Sequence, residues 1–340
     1  MAPNHPPAIE PAEIEPARPA LLVGIDIGGT SLKGAVVDAQ NGVILHSDEV
    51  KLPVAMHERT PGLVIALADT MISRLVHAAG AAHGDITALG VGCPGLIRRG
   101  VVHAAGNFPS WREVNLVSEF AALLPRGTRL AVTNDAHAAA LAEAWVGIGR
   151  HATVQNLVML TLGTGIGIGV LIDGQPLVCN VEGGHAIIRP GGRACVCGQH
   201  GCFEAHCSAS AIAARANEAL GKSSAAGSLR ALGRALVCED LFDPAHANDA
   251  LCAAVLADAV QDLALGCLNL CRAFDPDVLV LAGGLSGAAD RLIEPLRAEL
   301  KRIWWQIGPT PTICVAHAGS KSGVVGAAAA VRGLPPARGA

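Results

Sequence analysis

Residues 21–38 read LLVGIDIGGTSLKGAVVD, and residues 157–173 read LVMLTLGTGIGIGVLID. Each stretch is an apolar run, a glycine turn and a second apolar run. Superposed with an offset of 135 residues, Leu22 falls on Leu157, Val23 on Val158, Gly28 on Gly163, Gly34 on Gly169 and Asp38 on Asp173. A register held over this length without a gap is the mark of an internal duplication. Apolar runs broken by Gly-Gly-Thr or Gly-Thr-Gly read as two strands joined by a tight hairpin with bare backbone at its tip. Exposed amide N–H groups at such a tip can hold phosphate oxygens. Two of them, one from each half, can clasp a phosphate chain from both sides. Asp26 ends the first strand, where a carboxylate can hold Mg²⁺ through water.

A second informative stretch, Glu182 to Glu204, reads EGGHAIIRPGGRACVCGQHGCFE. His185, Cys195, Cys197 and Cys202 follow the spacing H-x9-C-x-C-x4-C. Three thiolates and one imidazole complete a tetrahedral zinc shell with no open position, so the ion would hold shape and do no chemistry. The glycines let the loop fold back on itself. Glu182 and Glu204 flank the clip and offer fixed carboxylates to a polar ligand.

Composition narrows the class. The chain has 340 residues, with 51% hydrophobic and only 16% charged residues, which suits large buried cores. The net charge is −4 with no basic stripe, which speaks against nucleic-acid binding. No uninterrupted apolar run reaches the length of a membrane span. Residues 1–20 are proline-rich and acidic, with no apolar core of a signal peptide, and read as an unstructured leader. Eleven cysteines in such a chain suit metal binding in a reducing cytoplasm better than disulfides. Cys93, Cys179, Cys238, Cys252, Cys267, Cys271 and Cys314 read as small core residues, and Cys207 is left open.

Along the chain, helical spacing appears at 61–83, 115–124, 136–145, 208–232, 250–274, 288–302 and 319–331, and strand patterns at 86–93, 130–133, 277–282 and 313–315. Asp135 stands where a strand passes into a helix. That position suits a helix cap, and equally a carboxylate that the helix dipole keeps ionised. Trp111 reads as a core residue. Gly283-Gly284-Leu285 follows a strand and lets backbone approach a flat ring or ribose.

Together, Asp26-x-Gly28-Gly29-Thr30-x-x-Lys33, Asn134-Asp135, Leu162-Gly163-Thr164-Gly165, Glu182-x-x-His185 and Cys195-x-Cys197-Gly198-x-x-Gly201-Cys202-x-Glu204 resemble the ROK family of sugar kinases and repressors, over about residues 21–333. The resemblance implies an α/β, two-lobe actin/hexokinase-like (ribonuclease H-like) fold. Its small lobe would comprise 21–132 and about 319–333, and its large lobe 133–318, with the zinc loop 182–204. It implies ATP with Mg²⁺, a hexose at the lobe boundary, a structural Zn²⁺ and a homodimer. By matched position, Asp135 is the general base. Asn107, Asn134, Asp135, Glu182, His185 and Glu204 contact sugar. Asp26, Gly28, Gly29, Thr30, Lys33, Gly163, Thr164, Gly165, Gly283, Gly284 and Leu285 serve the nucleotide. His185 would serve both zinc and sugar. Glucose is the expected acceptor, with N-acetylmannosamine, N-acetylglucosamine, fructose and allose as alternatives. A sugar-sensing repressor is the competing class, disfavoured because only the proline-rich leader precedes the first strand. Two departures from the family pattern stand out. Ile168 occupies a position where many members have glycine, and is expected to narrow nucleotide access. The segment around His206 is expected to shape the sugar pocket.

Overall fold

The computed structural model describes residues 21–150, 154–177, 181–287, 289–305 and 308–332; the leader and Cys179 lie outside them. The first sheet has the order β3-β2-β1-β4-β8, with β1 Leu21–Ile27, β2 Ser31–Asp38, β3 Ile44–Lys51, β4 Ala88–Cys93 and β8 Arg129–Asn134. The second has the order β11-β10-β9-β12-β13, with β9 Leu157–Leu162, β10 Ile166–Ile172, β11 Gln175–Pro176, β12 Val278–Ala282 and β13 Thr312–Val315. In both, the first three strands form an antiparallel meander, and the last two add in parallel beside the first strand. The 135-residue offset carries the start of β2 at Ser31 onto that of β10 at Ile166. A small sheet of β5 Leu96–Arg98, β6 Val101–Ala104 and β7 Val114–Asn115 extends the first half.

The helices are α1 Pro61–Ala78, α2 Leu116–Ala121, α3 Asp135–Val146, α4 Phe203–Cys207, α5 Ala209–Lys222, α6 Ser228–Ala231, α7 Cys238–Phe242, α8 Ala250–Phe274, α9 Glu294–Ile303 and α10 Ser322–Ala330. α1 begins on a Thr60 side chain that accepts from the Leu63 amide, with proline at its first turn. It buries Val64, Ala68, Met71, Ile72 and Leu75 against β2. Each large side chain of that kind removed from water is worth about 1.5–3 kcal/mol. The predicted helix 208–232 breaks after Lys222 and resumes only as the short α6. α8 is long and apolar enough to cross a membrane by length and composition, but 61% of that stretch is buried within the second half.

α3 and α10 pack against each other between the sheets, and their arrangement is an exchange. α3, which follows the first sheet's last strand, lies on β9 and β10; α10, which follows the second sheet's last strand, lies on β1 and β4. Contact is backbone to backbone. A Cβ on Gly24 would stand 2.0 Å from the Val324 carbonyl, on Gly90 1.7 Å from that of Ala327, and on Gly326 1.6 Å from that of Ala138. The alanine and glycine bias of the chain is thus a packing requirement at the join. Separate hydrophobic clusters fill the outer side of each sheet. Trp111 is fully buried, its Nε1 donating to the Arg59 carbonyl at 2.8 Å. Of the cysteines read as core residues, Cys93, Cys238, Cys252, Cys267 and Cys271 are buried, and so is Cys207.

Candidate active site

β8 ends in the groove between the two sheets and delivers Asn134 and Asp135 there. Asn134 caps α3: its Oδ1 accepts from the Ala136 amide at 2.8 Å, and its Nδ2 donates to the Gly95 carbonyl at 3.1 Å. With the cap supplied by Asn134, the Asp135 carboxylate keeps one bond to the Ala136 amide, at 2.9 Å, and opens onto a cleft of roughly 590 Å³. The dipole was expected to hold this carboxyl low. Instead its pKa is raised to about 6. Poor solvation between the lobes is the largest cause, with Asp26 and Glu182 adding like charge, and together they outweigh the amide bond to Ala136.

The same cleft is lined by Asn107, Glu182, His185 and Glu204. Glu204 Oε2 accepts from the Ile166 amide at 2.8 Å, which ties α4 to the start of β10. Glu182 precedes a short turn, Gly183–His185, that carries His185. The ligand atoms of His185, Cys195, Cys197 and Cys202 all lie within 4.8 Å of one another. His185 Nδ1 is 3.5 Å from Cys195 Sγ, and Cys197 Sγ is 3.6 Å from Cys202 Sγ. These separations and this donor set fit one tetrahedral zinc. Because Nδ1 faces the thiols, Nε2 is the ring nitrogen left over. Behind the clip, the Asp262 carboxylate accepts from Arg189 Nε and, at 2.9 Å, from Arg215 Nη1. The 182–204 loop is thereby anchored to α8.

A second cavity, of roughly 830 Å³, adjoins the first. Gly163 and Thr164 line both, while Phe242, Ala247, Gly284 and Leu285 line the second alone. Gly283, with φ +87, lines the cleft. The 28–30 hairpin stands elsewhere: Gly29 lies against the Asn107 side chain, on the opposite wall. Asp26 and Lys33 are cross-strand partners that line a separate depression with Asp48, Glu49 and Lys321. Burial pushes the Asp26 carboxyl up, and Lys33 partly offsets this. The structure therefore brings together Asn107, Asn134, Asp135, Glu182, His185, Glu204, the 163–165 hairpin and Gly283. Asp26, Gly28, Gly29, Thr30 and Lys33 line neither cavity.

Two sequence expectations are revised. Ile168 is buried and packs beneath Gly183, where a Cβ would stand 2.9 Å from its Cγ1; it lines the cleft and not the second cavity. It supports the turn that carries Glu182. His206 does not line the cleft: its Nε2 accepts from the Arg193 amide at 3.3 Å, and its Nδ1 lies 3.5 Å from Asp262. It is part of the zinc loop's anchor. Arg59 is among the residues that escaped sequence reading. Arg59 is 6% exposed, and its guanidinium donates to the carbonyls of Gly29 (2.6 Å), Pro53 (2.7 Å), Val54 (3.1 Å) and Asn107 (3.3 Å). It ties the first hairpin to the Asn107 loop. A lone arginine in a loop carries no pattern that announces this.

The ROK family profile matches residues 22–333. The glucokinase of Streptomyces coelicolor is 33% identical over 334 residues, covering 93% of this chain and 99% of that protein. The glucokinase of Thermotoga maritima is 32% identical over 288 residues, covering 82% and 86%. Among solved structures, a ROK family glucokinase from Streptomyces griseus, in complex with glucose and AMPPNP, aligns with a TM-score of 0.71 at 28% identity, over 92% of this chain and 99% of that one.

Proposed function

The chain belongs to the ROK family, and on that premise we propose that it is an ATP-dependent sugar kinase whose acceptor is glucose, made into glucose 6-phosphate. One observation carries the reading: a cleft walled by carboxylates and a larger cavity meet at Gly163-Thr164, with Asp135 on the cleft side. A sugar, rich in hydroxyl donors, suits acceptors such as Glu182 and Glu204. A nucleoside suits the cavity beside Phe242 and Leu285, with its phosphates crossing the glycine hairpin.

Asp135 takes the proton from the attacking hydroxyl. The sugar oxygen then forms a bond to the γ-phosphorus as the bond to the β–γ bridging oxygen breaks, and ADP leaves. A pKa of about 6 suits the task, since the group is ionised at neutral pH yet basic enough to accept a proton. The rest of the catalysis is positioning and charge neutralisation. Asn107, His185 Nε2 and the two glutamates orient the sugar, and Asn134 ties the first turn of α3, which carries Asp135, to Gly95. We assign the phosphates to the 163–165 hairpin, with the 28–30 tip closing from the opposite wall. Asp26 would hold the nucleotide's Mg²⁺ through water, with Lys33 as its cross-strand neighbour. His185, Cys195, Cys197 and Cys202 would hold a structural zinc that clamps the loop bearing Glu182 and Glu204. We further read the sheets as two lobes, 21–132 with 319–333, and 133–318. A homodimer in a reducing cytoplasm completes the proposal.

The test is ADP release with Mg-ATP across glucose, mannose, fructose, allose, N-acetylglucosamine and N-acetylmannosamine. Strong preference for glucose is expected. Preference for an N-acetyl sugar would overturn the acceptor while leaving the base and the zinc clip in place.

A further inference from the structure

α3 carries a second polar side chain into the cleft, two residues past Asp135. His137 lines the same cavity as Asp135, Thr161 and Gly163, yet only 6% of its surface is exposed. Its Nε2 is the one buried side-chain nitrogen or oxygen, among the described residues, that has no hydrogen-bond partner. An unpaired buried polar atom costs on the order of 1–3 kcal/mol, so its persistence calls for a partner that arrives with the ligand.

The chemistry of the cleft says which ligand atoms need it. Among the described lining residues there is no lysine or arginine, while Asp135, Glu182 and Glu204 are all carboxylates. Those acceptors complement sugar hydroxyls and repel phosphate. The other nitrogen-bearing side chains are largely engaged: Asn134 holds Gly95 and caps α3, His185 turns Nδ1 to Cys195, and Asn107 lies on the opposite wall beside Gly29. His137 rides on the first turn of α3, whose N-terminus favours anions, and α3 packs on β9 and β10, the strands that carry the 163–165 hairpin. Bringing Nε2 to a ligand in the cleft takes a rotation of the imidazole about χ2.

We propose that His137 is a substrate-contacting residue of the transfer site, its Nε2–H donating to an oxygen of the nucleotide's phosphates. The inference rests on the kinase reading above. Burial holds the His137 pKa below its ordinary value, so the ring works as a neutral donor. It thus supplies a hydrogen bond to the phosphates without closing an ion pair with Asp135.

Two variants test this in the full-length protein. His137→Phe keeps the ring's shape and removes its nitrogens; His137→Gln restores an N–H of similar reach. The readouts are kcat and KM for Mg-ATP, equilibrium binding of AMPPNP, and equilibrium binding of glucose without nucleotide. For His137→Phe, a fall of about 10- to 100-fold in kcat/KM for Mg-ATP is expected, the size of one hydrogen bond to a charged group. Weaker AMPPNP binding and unchanged glucose binding should accompany it, and His137→Gln should recover most of the loss. Wild-type values in His137→Phe would overturn the proposal. So would a loss confined to glucose binding, which would move His137 to the sugar half, or an equal loss in His137→Gln. If His137→Phe does not fold, His137→Ala and His137→Gln are compared in its place, and equal behaviour of these two overturns the assignment. Wild-type turnover is measured first: its absence counts against the kinase reading, whereas the AMPPNP arm still reads His137.

Discussion

The two glycine hairpins occupy the same place in two copies of one sheet, and they are braced by opposite charges. The 28–30 tip is held from behind by Arg59, a buried cation that donates to the Gly29, Pro53, Val54 and Asn107 carbonyls. The 163–165 tip is held by Glu204, an anion that accepts from the Ile166 amide, and by the Ala209 amide, which donates to the Gly163 carbonyl at 2.8 Å. The first brace joins the hairpin to the Asn107 wall. The second joins it to the zinc loop and to both cavities. Duplication copies a backbone, and each copy then takes its brace from whatever surrounds it.

The comparison can be broken at four points. The largest effect is expected where the two halves meet. Asp135→Asn should lower kcat about 10²- to 10⁴-fold, the contribution of a positioned base, with sugar affinity largely kept. In the parent enzyme, log kcat/KM should fall with unit slope below a pH of about 6, because Asp135 must be ionised to act. The stability effect has the opposite sign. The folded state holds the Asp135 proton more tightly than the unfolded chain does. The charge therefore opposes folding above about pH 6, and this is relieved as pH falls toward the ordinary carboxylate range. Asp135→Asn should accordingly raise Tm at pH 7; full turnover by that variant would end the mechanism.

Next in size is the brace of the first hairpin. Arg59→Ala strands several buried carbonyls and should cost about 3 kcal/mol or more in denaturant unfolding. Arg59→Lys keeps the charge but not the fork and should lose less. In both, nucleotide affinity should be spared relative to sugar affinity, since Gly29 lies beside Asn107. Removing zinc by chelation, or Cys202→Ser, attacks the second half. It should lower Tm and weaken glucose binding together, because His185 joins the clip to the cleft. Bound metal measured by mass spectrometry should fall in parallel. The smallest effect is expected for Glu204→Gln, which keeps an acceptor for the Ile166 amide but loses charge. A loss of about 10-fold in kcat/KM is expected, shared between sugar and nucleotide because Gly163 and Thr164 line both cavities. If Arg59→Lys and Glu204→Gln give the same pattern of losses, the two braces do not divide the work.

Several features were legible because they are local. The apolar spacing over 61–83 finds α1, and Met71, Leu75 and Val76 within it are buried. His185, Cys195, Cys197 and Cys202 lie within 18 residues, so spacing alone gathers them. Other expectations failed where distant segments set the outcome. The dipole argument for Asp135 counted one helix and omitted Asp26, Glu182 and the walls that exclude water. Ile168 departs from the family pattern, and narrower nucleotide access was the expectation there. Strand alternation turns its side chain under Gly183 instead. His206 follows Glu204 by two residues, yet on a helix that spacing points it to the other side, toward Asp262.

By itself, the sequence determined the duplicated strand–hairpin–strand unit, the His185, Cys195, Cys197 and Cys202 cluster and the strand-to-helix turn that exposes Asp135. Each depends on a periodicity or a spacing within one short segment. Tertiary structure alone decided that α3 and α10 exchange sheets, that two cavities meet at Gly163-Thr164, that Arg59 and Glu204 brace opposite hairpins, and that His137 Nε2 is left unpaired. These depend on contacts between residues far apart in the chain. Solvation and hydrogen-bond satisfaction are set by everything that surrounds a group, and no local pattern records that.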